Sequence, residues 1–398
     1  MPTIRGVRFR LAQVLRQTAN RLFTPLGGGS IRDIGLATLS PAAPRALVVY
    51  VMHVIPYYVA GKLESAPMLN EHSMYWETAE MVRQLNERGY VVDFYDVHCP
   101  ESINWELYTA AFVQSDRLAE CPPELPIKKV FYCTENYWAF QNMAELKRLL
   151  AFKQRTGIWV RPERQTRVSF SDEYADYITL LGTPFQQLLY NSRPERHQLD
   201  ISVAAVPTHA AKNVLAARAN FLWLGSGGAV LKGVDLAVEA FVKMPQAHLY
   251  IAGAIEREPR LWQWLKPLLA AHPNIHYLGW VDVATPSFAK LANNCIGTIY
   301  PSASEGGGGA VAQLLHFGLI PIVTQTATVR AASLGFEIES QDPATIIEDI
   351  QMHVQTMLEM PNSDLARRSA AVQAFAAAHH TRSAYAATFG ALLDRMTL

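Results

Sequence analysis

Cysteine is scarce in this sequence, with four residues in 398, and no two of them form a Cys-x-x-Cys pair. The scarcity and the wide spacing argue against a zinc knuckle and against a disulfide framework, so we expect reduced thiols. An excess of charge of one sign is also lacking, because 35 basic and 35 acidic residues give a formal net charge of zero. This balance does not mark the chain as a nucleic-acid binder, and we expect no nucleic-acid partner.

Long hydrophobic runs are absent as well. No segment approaches the roughly 18 to 20 apolar residues that a transmembrane helix requires, and the N-terminus lacks the apolar core of a signal peptide. These absences predict a cytoplasmic protein. The length of 398 residues exceeds that of most single domains, and with 50% hydrophobic residues it favours two α/β domains.

The N-terminal segment is basic and amphipathic. Arg5, Arg8, Arg10, Arg16 and Arg21 all precede the first acidic residue, Asp33, and apolar residues recur at helical spacing, which predicts a helix from Ile4 to Phe23. This helix either lies on an anionic membrane, as a peripheral contact on the inner face, or packs on its own domain; a transit peptide is a third interpretation. Gly27 to Ser30 and Pro41 to Pro44 predict a flexible joint before the folded part.

From Arg45 onward, short apolar runs alternate with amphipathic helical patterns, and the alternation occurs twice, as is typical of βα units around parallel sheets. In the first set, the predicted strands are Ala46 to His53, Tyr90 to Val97, Lys129 to Cys133 and Tyr177 to Leu181, and the predicted helices are Tyr75 to Arg88, Trp105 to Leu118 and Ala139 to Thr156. In the second set, the predicted strands are Phe221 to Leu224, Leu249 to Ala252, Ile275 to Leu278, Gly297 to Tyr300 and Ile320 to Val323, with helices in each gap.

The domain boundary is predicted near Pro207. After Phe336 the patterns are helical and no further strand is expected. We therefore divide the chain into the N-terminal segment and joint (1–44), a first domain (45–207), a second domain (208–380) and a final helix (381–398).

A glycine-rich turn follows the first strand of the second set. Gly225 to Gly228 come directly after the strand, Lys232 follows, and a helix is predicted from Val234 to Met244. Glycines at such a turn let backbone N–H groups approach phosphate oxygens, and a nearby lysine adds positive charge. The alternative interpretation is that these glycines only turn the chain.

A second turn of the same kind strengthens the phosphate interpretation. The strand Gly297 to Tyr300 is followed by Glu305 and by four glycines, among them Gly306, Gly307 and Gly308, which open a short helix. Glycines are costly there unless something negative approaches the helix N-terminus. Glu305 is then placed to bind a sugar hydroxyl, or else it is an acidic residue favoured by the helix dipole.

The order of these motifs resembles one family. Leu-Gly-Ser-Gly-Gly, Leu-Lys-Gly-Val-Asp, Leu-Tyr-Ile-Ala-Gly, Tyr-Pro-Ser-Ala-Ser-Glu-Gly-Gly-Gly-Gly and His-Phe-Gly-Leu-Ile-Pro occur in the order of the donor domain of retaining glycosyltransferase family four, over Phe221 to about Thr324. The N-terminal half resembles that family only in architecture. The resemblance implies an α/β protein of the GT-B fold, with two Rossmann-like domains, a deep interdomain cleft, and a last helix, about Arg382 to Met396, that packs back on the N-terminal domain.

In that family the glycine turn and its lysine hold the donor diphosphate, so the resemblance assigns this role to Gly227, Gly228 and Lys232. Ser226 stands where an arginine is frequent in the family, and one phosphate contact is thereby changed.

The family also carries two glutamates separated by seven residues. Glu305 fills the first position, which implies that it holds hydroxyls of the donor sugar, and Gln313 fills the second, which usually bonds the ribose. An amide can still bond ribose hydroxyls. The loop after Trp280 and Val281 is expected near the base. Glu305 and Lys232 are thus the predicted catalytic residues.

The resemblance implies transfer with retention of configuration, in which the departing phosphate oxygen takes the proton of the acceptor. Such a site needs electrostatic stabilisation of the leaving diphosphate. No Asp-x-Asp pair occurs in the sequence, so we expect no metal, and we expect no cofactor besides the nucleotide sugar as co-substrate.

The first domain is expected to hold the acceptor, a glycan, a lipid-linked molecule or a small molecule. His53, Tyr57 and His72 follow the first strand, and Glu135 and Asn136 follow the strand that ends at Cys133, so all five are candidates for the acceptor side of the cleft. Each histidine is alternatively structural.

Arginines recur in the helix from Ala139 onward and in the loop after it, including Arg148, Arg155 and Arg164. They either contact a phosphorylated or lipid-linked acceptor or belong to an ordinary solvated surface.

The sequence therefore predicts an active glycosyltransferase. A second hypothesis is a catalytically weakened GT-B protein that binds a sugar nucleotide or glycan as a partner subunit, which Ser226 and Gln313 suggest. A third is another GT-B-like enzyme, such as an epimerase or a phosphorylase.

Overall fold

The structure is a computed structural model that describes residues 28–190 and 193–398. The predicted helix from Ile4 to Phe23 lies outside the described residues. None of the described helices is long and apolar enough to cross a membrane.

The strands are β1 (Ser30–Ile34), β2 (Arg45–Tyr50), β3 (Val91–Asp96), β4 (Ala110–Val113), β5 (Lys128–Tyr132), β6 (Tyr177–Leu180), β7 (Glu195–Gln198), β8 (Asn220–Leu224), β9 (His248–Ala252), β10 (Ile275–Gly279), β11 (Gly297–Tyr300), β12 (Ile320–Thr324) and β13 (Phe336–Ile338). The α-helices are α1 (Ile55–Val59), α2 (Ser73–Glu87), α3 (Trp138–Thr156), α4 (Ser171–Tyr174), α5 (Pro184–Gln187), α6 (Val214–Ala217), α7 (Val234–Val242), α8 (Pro259–Ala271), α9 (Pro286–Asn293), α10 (Gly309–Leu315), α11 (Pro343–Glu359), α12 (Asn362–His379) and α13 (Arg382–Arg395).

The strands form two separate sheets, in agreement with the predicted α/β class and two Rossmann-like domains. The first sheet has the order β1-β3-β2-β4-β5-β6-β7, and only β1 runs antiparallel to its neighbour. The second sheet has the order β10-β9-β8-β11-β12-β13 and is parallel throughout. Its central strands β8, β11 and β12 are apolar runs buried over nearly their whole length, as is typical of parallel sheets.

The predicted helix from Trp105 to Leu118 is wrong. The structure has strand β4 there, between β2 and β5 in the middle of the first sheet, with short 3₁₀ turns on either side. All four side chains of β4 are fully buried. When every residue of a short segment is apolar, the sequence shows no hydrophobic periodicity that would distinguish a central strand from a buried helix.

Three short strands at or near the sheet edges were not predicted from the sequence. β1 lies within the predicted flexible joint and pairs with β3, and Arg45 bridges Asp33 and Asp93 there, at 2.7 and 2.6 Å. β7 is a strand of four residues at the other edge of the first sheet, and β13 is a strand of three residues at one edge of the second sheet. The expectation of no strand after Phe336 is therefore wrong, because β13 begins at that residue and gains its stability from pairing with β12.

The last helix, α13, packs on the first sheet although it follows the second sheet in the chain. Tyr385 and Phe389 are fully buried in the core of the first domain, where Tyr385 lies 2.9 Å from Tyr132, oxygen to oxygen, and Phe389 contacts Phe112. Burying side chains of this size stabilises the contact by about 2 kcal/mol each.

Helix α3 also connects the two domains. It starts after β5, and its buried residues Leu149 and Phe152 belong to the core of the second domain. Arg148 is buried and donates to the Pro301 carbonyl at 3.1 Å, and Arg155 pairs with Asp235 at 2.5 Å. These two arginines therefore join the domains, and neither lies on a solvated face.

Candidate functional site

A cavity of about 370 Å³ lies between the two domains, at the carboxyl ends of strands from both sheets. We call it the interdomain cavity. In the second sheet, β8 and β11 are neighbours although they are not consecutive strands, and the chain leaves them in opposite directions across the sheet. A crevice forms at such a switch point, and the glycine turn after β8 and the Glu305 loop after β11 both open into it.

Lys232 reaches the interdomain cavity from the glycine turn. The residue is 5% exposed, and its Nζ donates to the Ser226 hydroxyl at 2.8 Å. Burial lowers the pKa of Lys232, and Arg164 lowers it further, while Glu305 and Glu258 raise it. The net shift of the Lys232 pKa is downward, because burial of the ammonium group has a larger effect than the nearby carboxylates.

The backbone of the glycine turn already has an anionic partner. The N–H groups of Gly228 and Ala229 donate to Glu258 Oε1 at 2.9 and 3.0 Å. Glu258 is buried, and burial raises its pKa while these two bonds lower it. The predicted diphosphate contact of the Gly228 N–H group thus competes with Glu258 in this structure, and neither Gly227 nor Gly228 lines the interdomain cavity.

Glu305 is held by the strand that precedes it. The Tyr300 hydroxyl donates to Glu305 Oε1 at 2.8 Å, and the Glu305 N–H group donates to the Thr326 carbonyl at 3.1 Å. Tyr300 is 1% exposed, so its hydroxyl has a fixed position. The carboxylate therefore keeps one orientation at the wall of the interdomain cavity.

The glycines after Glu305 allow the two domains to approach. A Cβ atom at Gly306 would lie 2.1 Å from the Thr134 carbonyl oxygen, and one at Gly307 would lie 2.5 Å from Ile201 Cδ1. Gly308 has a positive φ of 65° at the start of α10. An approaching anion is one reason for glycine at these positions, and close packing against the first domain is a second.

Gln313 projects from α10 into the interdomain cavity with an unused donor. The residue is 5% exposed, and its Nε2 has no hydrogen-bond partner in the part of the chain that the structure describes. A buried donor without a partner is costly, and a bound polar ligand would satisfy it. Trp280 and Val281 line the same cavity, and half of the Trp280 surface is exposed.

Only some of the residues predicted for the acceptor side line the interdomain cavity. His72 and Glu135 do so, but His53 and Tyr57 do not. β2 ends at Tyr50, three residues before the predicted end, and His53 instead packs its ring against Tyr75 at 5.6 Å between centroids. The prediction that this strand ends at His53 is therefore wrong by three residues, and His53 and Tyr57 lie outside the wall of the interdomain cavity.

Asn136 lies between the domains. Its Nδ2 donates to the Ser304 hydroxyl at 2.9 Å, and its Oδ1 has no hydrogen-bond partner among residues 28–190 and 193–398. It lines a second cavity of about 350 Å³, next to the first, to which Glu135 also contributes. Asn136 is thus adjacent to the interdomain cavity rather than in its wall.

Two groups on the first-domain wall have shifted pKa values. Surrounding protein atoms lower the pKa of His72 to about 4, and the charges of Lys232 and Arg164 add to this, so the imidazole is neutral near pH 7 although solvent reaches part of it. Its Nδ1 accepts from the Met74 N–H group at 3.2 Å. Burial raises the pKa of Glu135, Arg164 opposes the shift, and Glu305 adds to it.

Sequence reasoning missed Glu258 as a partner of the glycine turn and Glu77 as a lining residue, and it did not connect Arg164 with the donor side. Arg164 lines the interdomain cavity from the loop after α3. No local pattern marks these residues, because each reaches the site only through the packing of distant segments.

Comparison with known sequences and structures agrees with this architecture. Residues 218–355 match the family model described as glycosyl transferases group 1. A search of curated protein sequences yields no significant match.

Several solved structures are similar over nearly the whole chain. Sucrose-phosphate synthase from Thermosynechococcus elongatus aligns at a TM-score of 0.55 and 12% identity, covering 89% of this chain and 99% of that one. HepE of Anabaena, in complex with UDP and glucose, aligns at 0.53 and 10% identity, with 89% and 99% covered. WaaG, a glycosyltransferase involved in lipopolysaccharide biosynthesis, aligns at 0.50 and 12% identity, with 88% and 99% covered. These likenesses show the two-domain GT-B fold.

Proposed function

We propose that this protein transfers a sugar from a nucleotide-sugar donor to an acceptor in the interdomain cavity, on the premise that residues 218–355 match the model of the glycosyl transferases group 1 family within a GT-B fold. The observation that carries the proposal is the convergence of Glu305, Lys232 and Gln313 on that cavity from two neighbouring strand ends.

The donor is assigned by the chemistry of these three side chains. Lys232 supplies a cation for the diphosphate, Glu305 accepts from sugar hydroxyls, and the unused Nε2 donor of Gln313 suits a ribose hydroxyl. The HepE structure contains UDP and glucose, which supports a nucleoside diphosphate sugar as the donor class. The base is proposed to bind beside Trp280, an aromatic side chain that lines the cavity and is half exposed.

The reaction is proposed to retain the configuration of the sugar. The bond between sugar C1 and the diphosphate oxygen breaks, the acceptor oxygen bonds C1 on the same face, and the acceptor proton passes to the departing phosphate oxygen. Lys232 stabilises the negative charge that develops on the diphosphate, which is where catalysis of this kind has most effect. No metal or cofactor takes part in this scheme.

The acceptor is proposed to approach from the first domain, past His72 and Glu135. A glycan, a lipid-linked molecule or a small alcohol has the hydroxyl group that the reaction needs. His72 is neutral near pH 7 and can bond a hydroxyl group, and Glu135 can accept from one.

A second candidate function is a sugar-nucleotide or glycan-binding partner subunit with little activity. The observation that favours it is the glycine turn, where Glu258 occupies two N–H groups and Ser226 provides no charge. Both candidates require the donor to bind, so turnover separates them.

The test is a panel of UDP-, GDP- and ADP-sugars. One of them is expected to raise the melting temperature, because a ligand at 100 times its dissociation constant stabilises the folded state by about 2.7 kcal/mol. The same donor should then be hydrolysed or transferred if the protein is an active transferase, and bound without turnover if it is a partner subunit. A panel without any stabilising donor, measured also with the free nucleoside diphosphates, would contradict both.

A further inference from the structure

The loop from Gly157 to Phe170 carries an arginine into the interdomain cavity. α3 ends at Thr156, its C-cap Gly157 has a positive φ of 78°, and the chain then turns back along the helix. Arg164 lies in the middle of this loop and lines the interdomain cavity together with Ser226 and Lys232 of the other domain. Its side chain thus comes from the first domain and faces the donor side.

Buried polar groups hold the backbone of Arg164. Glu145 Oε1 accepts from the N–H groups of Glu163 and Arg164 at 2.8 and 2.9 Å, and Gln141 Nε2 donates to the Arg164 carbonyl at 3.0 Å. Glu145 is 1% exposed and Gln141 is 5% exposed. One face of α3 is therefore built to hold this loop segment in a defined position.

The same anchoring continues after Arg164. Gln165 Nε2 donates to Glu145 Oε2 at 2.6 Å, and Asn142 exchanges two bonds with the backbone of Thr166, at 2.8 and 2.9 Å. A loop fixed through three successive residues loses little further entropy when its side chain binds a ligand.

Arg164 crosses directly over the glycine turn. A Cβ atom at Gly228 would lie 2.3 Å from Arg164 Cγ, so glycine at that position leaves room for the arginine stem. The arginine charge reaches the rest of the cavity, since it lowers the pKa of Lys232 and of His72. Among the residues that the structure describes, no carboxylate forms a salt bridge with Arg164.

Within the glycine turn itself, two backbone donors that could bind an anion are already hydrogen-bonded to Glu258. Glu258 occupies the N–H groups of Gly228 and Ala229, and Ser226 accepts from Lys232, so the turn contributes one cation. A nucleotide-sugar diphosphate carries two negative charges. Arginine, with its planar set of donors, suits phosphate oxygens.

We propose that Arg164 is the second phosphate-binding cation of the donor site, supplied by the first domain across the glycine turn. This inference rests on the proposed function. Its consequence is that Lys232 and Arg164 hold the diphosphate from opposite domains, so donor binding stabilises the approach of the two domains.

The experiment compares binding of a nucleoside diphosphate with binding of its nucleoside, by calorimetry on the full chain without divalent cations. UDP, GDP and ADP are tried first on the unchanged protein, and the tightest of the three is kept as the probe. The variants are Arg164→Ala and Arg164→Gln, of which the second retains most of the stem over Gly228. Arg161→Ala is the control, since Arg161 is an arginine of the same loop that does not line the interdomain cavity.

Both Arg164 variants are expected to weaken diphosphate binding about 10- to 100-fold, the range for a lost charged hydrogen bond, and to leave nucleoside binding within about twofold. Arg161→Ala should leave both within about twofold. The loss should also diminish as salt increases, because it is electrostatic.

Equal diphosphate affinity in the Arg164 variants and the unchanged protein would overturn the inference and leave the proposed function standing. An equal loss for diphosphate and nucleoside would also overturn it, since it would show that Arg164 supports the fold of the site. If the unchanged protein binds none of the three diphosphates, the proposed function fails and this inference with it.

Discussion

The side chains that line the interdomain cavity come from distant parts of the chain. Glu305, Lys232 and Gln313 follow strands in a recognisable order, and the structure brings all three to one cavity. Glu258 reaches the glycine turn from 30 positions further along the chain, and Arg164 comes from the other domain. The sequence pattern has no information on these two contacts, because they depend on strand order and domain approach.

Glu77 should make the free energy of unfolding depend on pH. It is buried at the cavity wall, where it accepts from the Ser202 N–H and hydroxyl groups at 2.9 and 2.8 Å, and burial raises its pKa from an ordinary 4.5 to about 7. A carboxyl group whose pKa is raised on folding stabilises the protein fully below pH 4.5, and this contribution is lost as the pH rises through about 7. The free energy of unfolding should therefore decrease over this range, by up to about 3 kcal/mol from this residue.

Glu77→Gln imitates the protonated form and should remove that contribution. We expect the variant to melt at a higher temperature than the unchanged protein at pH 8 and at a similar temperature at pH 5. Glu87→Gln, at an exposed position of the same helix, is the control. The same melting difference at both pH values would contradict the account of Glu77.

Secondary-structure elements were predicted best where the periodicity was strong. The predicted helix at Tyr75 to Arg88 and the strands β3, β8, β9 and β12 are at the expected places within a few residues. β4 was taken for part of a helix because its residues are apolar on every side, and β13 is too short to have a pattern. The error of three residues at the end of β2 matters more for function, because it displaced His53 from the wall of the cavity.

The N-terminal segment is predicted to bind membranes. The basic helix predicted from Ile4 to Phe23 should bind anionic vesicles, with its arginines among the phosphates, and less so as salt increases. The structure determines where to truncate: β1 pairs with β3 from Ser30 onward, so the deletion should remove residues 1–27 and no more.

Flotation with phosphatidylserine vesicles checks this prediction, with neutral phosphatidylcholine vesicles as the control. The full chain should float with the anionic vesicles, and the truncated chain should not, while both melt at the same temperature. Equal flotation of the two proteins would contradict a membrane role for the segment.

At the scale of the whole molecule, the two sheets are joined more tightly than the sequence suggests. α3 belongs to the first domain by its position in the chain but packs into the core of the second, and the Arg155–Asp235 pair and the Arg148 bond to Pro301 reinforce this contact. The α/β class and the GT-B fold were predictable from alternating patterns and a motif order. The domain contacts were not, since arginines on a helix have the same pattern whether they face solvent or a second domain.

The interdomain cavity is proposed to hold a nucleotide sugar between Glu305 and Lys232, and sugar transfer by two variants measures whether it does. Glu305→Gln keeps an acceptor for the Tyr300 hydroxyl but loses the charge, and its turnover should fall about 10- to 1000-fold, while nucleotide affinity stays nearly unchanged. Lys232→Ala should weaken both nucleotide binding and turnover, because the cation acts in the bound state and on the leaving group. Glu348→Gln, at an exposed position of α11, is the control. If Glu305→Gln and Lys232→Ala both retain the transfer rate and donor affinity of the unchanged protein, the site is wrongly assigned and the glycine-rich turns are purely structural.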